Sequence, residues 1–80
     1  MLTEYIKAAM QSAVYEYLPD DRPYYGEIPG LHGVWANSET FSQCRTELRE
    51  VLEDWLLLGL RLGHDIPSID GISLESVKGQ

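Results

Sequence analysis

Only one cysteine, Cys44, occurs in the 80 residues, so no internal disulfide can brace the fold and the chain suits a reducing compartment. Basic residues are also scarce. Six Lys and Arg stand against thirteen Asp and Glu, and the formal net charge of −7 repels a phosphate backbone over the whole molecule, which disfavours direct nucleic-acid binding. Of those six, Arg45 and Arg49 alone share a helical face, with Glu50 and Glu53 nearby to offset them. Long apolar runs are missing too. The longest, Trp55 to Leu60 with Gly59 inside it, is far short of the ~20 residues a membrane span requires, and Met1-Leu2-Thr3-Glu4 lacks the basic start of a signal peptide. These absences lead to the expectation of a soluble, cytoplasmic protein.

The spacings that metal or nucleophilic chemistry needs are lacking as well. His32, Cys44 and His64 form neither a C-x-x-C nor an H-x-x-x-H pattern, so no zinc site is expected. His32 lies in a Gly-flanked turn beside Glu27, where an exposed imidazole can act as a base, yet no nucleophile with an orienting partner completes the set. His64 follows the glycine that ends a helix, where positive charge complements the helix C-terminus. Cys44 falls on the apolar side of that helix and reads as a buried, inert thiol. No enzyme activity and no cofactor are expected.

What the chain does contain is a compact alternation of strand, turn and helix signals, read as one domain over residues 1–80 with an α+β fold. A short helix over residues 4–10, capped by Thr3, presents Tyr5, Ile6, Ala9 and Met10 as an apolar stripe. Residues 13–18 switch to strand character, and Pro19-Asp20-Asp21-Arg22-Pro23 closes a hairpin with a second strand over 24–28. Pro29-Gly30 turns the chain into a third strand over 31–36. Thr40 and Gln43 have capping-box spacing ahead of a long helix, in which Phe41, Cys44, Leu48, Val51, Leu52, Trp55, Leu58 and Leu62 recur at three and four until Gly63 ends it. Ile72, Leu74 and Val77 mark a short fourth edge strand within 69–77, and Lys78-Gly79-Gln80 is a tail. The expected order is therefore a short helix followed by β-β-β-α-β, with an antiparallel sheet packed on one long helix.

Ile28-Pro29-Gly30-Leu31-His32-Gly33, followed by Thr40-Phe41-Ser42-Gln43-Cys44, resembles the small HicB-like antitoxin family. Its members carry an I/V-P-D-L-P-G turn after a strand and a T-x-E-E-A helix start. This chain departs at Gly30, where the family usually has Asp, at His32, where it usually has Pro, and at Cys44, where it usually has Ala. With the aliphatic helix and the late Ile66-Pro67, the resemblance extends over residues 11–75. It implies a module that partners a small basic RNA-cleaving toxin. Longer members append a DNA-binding segment where this chain ends, so autonomous operator binding is not expected. The family has also been likened in fold to part of the RNase H architecture, which raises the acids Glu16, Asp20, Asp21 and Glu27 as two-metal candidates; a negative, partner-facing surface is the better reading.

Tyr and Trp among carboxylates suit an interface with a basic protein, since aromatics anchor and acids steer. The expected partner surface is Glu16, Asp20, Asp21, Tyr24, Tyr25, Glu27 and Trp35; cross-strand aromatic pairing that merely stabilises the hairpin is the competing account. The second half of the long helix is apolar nearly all round, and Leu56, Leu57 and Leu60 lie off its main stripe, which leads to the expectation of a homodimer or tetramer. A stand-alone oligomeric scaffold, or an enzyme without a toxin partner, is the alternative.

Overall fold

A computed structural model describes residues 2–72 and runs α1 (Leu2–Gln11), β1 (Val14–Tyr17), β2 (Tyr24–Glu27), β3 (Trp35–Ser38) and α2 (Phe41–Leu62). The strands form an antiparallel sheet in the order β1-β2-β3. One face of this sheet lies against α2, which packs on β3 and β2, and α1 lies beside α2. The expected α+β arrangement of a short helix, three antiparallel strands and a long helix is present. Leu74 and Val77, the later part of the expected fourth strand, lie outside the described residues.

Register decides which side chains face the helix. Tyr15, Gly26 and Ala36 are opposed across the three strands, as are Tyr17, Tyr24 and Ser38, and these two rows point towards α2. Gly26 is required at the centre, because a Cβ there would lie 2.8 Å from the Tyr15 ring and 3.3 Å from Cys44 Sγ. The buried Ser38 hydroxyl donates to Glu47 Oε1 at 2.7 Å, and the Cys44 thiol donates weakly to the Ala36 carbonyl at 3.6 Å. Burial, with a smaller contribution from the Glu47 charge, pushes the Cys44 thiol above its ordinary pKa.

Both ends of α2 follow from local chemistry. Thr40 is extended, and its hydroxyl accepts from the Gln43 N–H at 3.1 Å. At the far end Gly63 is left-handed at φ 75°; it donates to Leu60, while His64 donates to Gly59, the paired bonds of a Schellman cap. Ile66 then folds back onto Gly59, where an added Cβ would lie 2.9 Å from the Ile66 Cδ1. The buried Tyr5 hydroxyl donates to the Pro67 carbonyl at 2.5 Å, tying α1 to the segment beyond α2.

Several sequence expectations are corrected. α1 begins at Leu2, so Thr3 lies inside its first turn and not at its cap. The third strand starts at Trp35 and not at Leu31. Residues 28–34 make two successive turns, closed by Leu31 N–H to Ile28 O and Val34 N–H to Leu31 O, with Gly30 and Gly33 both at φ 90°. These turns press Ile28, Leu31 and Val34 into the core. In the 69–77 interval, Asp70 and Gly71 both have positive φ and Ile69 and Ile72 exchange two hydrogen bonds, so a tight hairpin turn stands where a continuous strand was expected.

The helix stripe is also rotated. α2 buries Cys44, Leu48, Leu52, Leu56 and Gly59. Each four-residue step overshoots a full turn by about 40°, so the buried stripe winds round the helix. Leu56 is therefore a core residue, only 1% exposed, and not part of an outer face. Leu60 is half-buried against the core, while Leu57 is exposed as expected. It is joined outside by Leu58 and Leu62, which periodicity had assigned to the core.

Candidate functional site

Side chains of the opposite parity point away from α2. Val14, Glu27 and Trp35 form one cross-strand row and Glu16, Tyr25 and Asn37 the next. Among the described residues no helix or strand covers this face. It therefore gathers four of the seven residues expected in a partner surface: Glu16, Tyr25, Glu27 and Trp35.

The aromatic and acidic groups there are organised by contact. Tyr25 and Trp35 are diagonal neighbours on adjacent strands, and their rings stack with centroids 6.0 Å apart and planes 27° apart. The Tyr25 hydroxyl donates to Glu27 Oε1 at 2.9 Å. That bond to a carboxylate, followed by burial and the charges of Glu27 and Glu16, holds the Tyr25 hydroxyl above its ordinary pKa, so it remains a donor. Trp35 is 50% exposed and Val14 52%, and Glu27 lies between them on the central strand, so apolar and acidic groups are interleaved across the face.

The remaining three expected residues are placed differently. Tyr24 is on the helix-facing side, where it meets Tyr17 at 5.3 Å and Phe41 at 6.4 Å, so it does not share the open face with Tyr25. Asp20 and Asp21 are exposed in the β1–β2 turn, which Leu18 N–H closes on the Pro23 carbonyl, and they flank the face at its end. Val14 and Asn37 belong to the face but were missed. Alternation from Trp35 would have found Asn37 had the start of β3 been known.

The other chemical candidates are dispersed. His32 and His64 are exposed in turns on either side of the fold elements, while Cys44 is buried between sheet and helix. Among the described residues no three His, Cys, Asp or Glu side chains are grouped to hold a metal ion. Nor is any helix there long and apolar enough to cross a membrane.

A family model described as UPF0150-like matches residues 4–67, which take in all three strands and α2. The chain belongs to the UPF0150-like family. The crystal structure of TTHA0281 from Thermus thermophilus is similar to this UPF0150-like chain at 44% identity and a TM-score of 0.87, over 90% of this chain and 89% of that one. No curated protein matches it. At that identity and coverage the helix-backed sheet is a shared architecture.

Proposed function

We propose that this UPF0150-like chain is a protein-binding module of the antitoxin type, resembling HicB-like antitoxins, whose open sheet face covers the active surface of a small basic RNA-cleaving toxin. The observation that carries this reading is the convergence of Glu16, Tyr25, Glu27 and Trp35 on one uncovered face. Stacked aromatics supply rigid anchoring area and the flanking carboxylates supply charge complementarity to a basic protein.

Size limits how the face is used. Strands of four residues span roughly 13 Å, and three of them roughly 14 Å across, well below the ~800 Å² per partner of a standard interface. The face is thus the centre of the interface, and the exposed Asp20-Asp21 turn supplies part of the rim. The net charge of −7 steers a basic partner from a distance, and inhibition follows from steric occlusion without any chemistry by this chain.

Co-purification from the native cell, followed by association kinetics at low and high salt, tests the reading. Glu16→Gln with Glu27→Gln should slow association and flatten its salt dependence, while Trp35→Ala should speed dissociation. Failure to recover a basic partner, or kinetics insensitive to salt and to all three substitutions, overturns it.

A second reading, a self-associating scaffold, is favoured by one observation. Leu57, Leu58 and Leu62 are each more than half exposed on α2. A second copy of this chain covering them is compatible with a partner on the sheet face.

A further inference from the structure

The molecule is acidic, yet its cations are not evenly spread. A groove of about 740 Å³ runs between α1 and the first half of α2. Lys7, Arg45 and Arg49 line it, half of the chain's six basic residues, and no acidic residue among the described ones does. Arg49 is held by Glu53 at 3.2 Å, whereas Lys7 and Arg45 have no carboxylate partner among the described residues. Two cations without a carboxylate partner among the described residues, Lys7 on α1 and Arg45 on α2, therefore line the same groove.

Helical spacing produces this. Ile6, Lys7 and Met10 share a face of α1, and Phe41, Arg45 and Arg49 share a face of α2. Ile6, Met10 and Phe41 give the groove an apolar side, with Phe41 46% exposed. Behind Phe41 the Tyr15 ring packs edge-on at 4.8 Å, which fixes the orientation of that aromatic wall. The buried Tyr15 hydroxyl lies beside the Arg45 side chain, whose charge partly offsets the upward push of burial on that hydroxyl's pKa.

We infer that this groove binds a small amphiphilic anion: one carboxylate, sulfonate or phosphate group set between Lys7 and Arg45, on an apolar body lying against Ile6, Met10 and Phe41. The volume fits, since small-molecule sites span roughly 300–1,000 Å³. Charge decides against a nucleic acid. A polyanion lies across many ångströms of a surface whose net charge is −7, whereas a single anionic group feels mainly the nearby cations within a screening length of about 8 Å. The groove lies between the helices and is distinct from the open sheet face, so this site stands or falls independently of the partner proposed there.

The test uses the full chain and the fluorescent probe anilinonaphthalene sulfonate, an aromatic body carrying one sulfonate. Its affinity should fall about tenfold in Lys7→Gln/Arg45→Gln, each lost exposed ion pair contributing modestly, and should be unchanged in Arg61→Gln, which removes a cation elsewhere on α2. Uncharged phenylnaphthylamine should bind more weakly than the sulfonate. Amide NMR shifts on adding the sulfonate should fall within residues 3–11 and 41–49. The inference is overturned by equal affinity in the double variant, by equal binding of the uncharged probe, by shifts confined to Leu57–Leu62, or by tighter binding of a short single-stranded RNA than of the sulfonate.

Discussion

Tyr25 and Trp35 stack across two strands on the side of the sheet that α2 does not touch, with the Tyr25 hydroxyl bonded to Glu27. Such an exposed pair stabilises the sheet modestly and is available as an anchor. Trp35→Ala should cost about 0.5–1.5 kcal/mol of folding stability by denaturant titration. It should weaken capture of a co-purified partner by about 2 kcal/mol or more. Loss of affinity no larger than that of the control Arg61→Gln, on α2 away from the open sheet face, would place the partner on another surface.

Gly26 stands where the sheet, Tyr15 and α2 come closest. Gly26→Ala should destabilise the fold by about 1–3 kcal/mol, because the Tyr15 ring and Cys44 must both yield. In a Tyr15→Ala background the same change should cost less, and the double-mutant cycle measures that coupling. Additive losses would mean that Tyr15 moves aside freely.

Neighbouring leucines of α2 should behave in opposite ways. Leu56→Ala opens a cavity in the core and should cost about 2–5 kcal/mol. Leu57→Glu with Leu58→Glu should leave the melting transition of the subunit within about 0.5 kcal/mol while dissociating an assembly seen by sedimentation equilibrium at micromolar concentration. A wild-type monomer under those conditions removes the self-association reading.

Alkaline pH should destabilise the fold. Burial is the first cause that raises the Cys44 thiol and the Tyr5 and Tyr15 hydroxyls. An acid whose folded pKa is raised contributes stability fully below its unfolded pKa and loses it as pH rises through the folded value. The melting temperature should therefore be steady near neutrality, begin to fall from about pH 9 as the unfolded thiol ionises, and fall further above about pH 10 with the tyrosines. Cys44→Ala should remove the first part of the decline and keep the second. A wild-type curve flat through this range would show that these groups ionise as readily in the folded protein as in the unfolded chain.

Features set by neighbours in the chain were legible from sequence. Thr40 and Gly63 delimit α2 because an N-cap hydroxyl and a left-handed glycine act within one turn of their own positions. The alternation of Tyr15, Glu16 and Tyr17 announced a strand, and the adjacency of Tyr24 and Tyr25 required them to point to opposite faces. The paired turns at Gly30 and Gly33 and the hairpin at Asp70-Gly71 also had local signals, the latter a dipeptide that favours two positive φ angles.

Which of two adjacent tyrosines faces inwards, which leucines of α2 are buried and which cations meet were decided only by tertiary structure. Tyr24 faces the helix because its strand neighbour is Ser38, whereas Tyr25 pairs with Asn37 on the open side. Leu56 is buried and Leu58 exposed because the contact stripe winds with the helix instead of following a fixed period. Lys7 and Arg45 are far apart in sequence and come to one groove through the packing of α1 on α2. Periodicity determines that a helix has an apolar side. The angle at which that side meets the sheet and its neighbouring helix depends on the shapes of all three surfaces, and these exist only once the chain has folded.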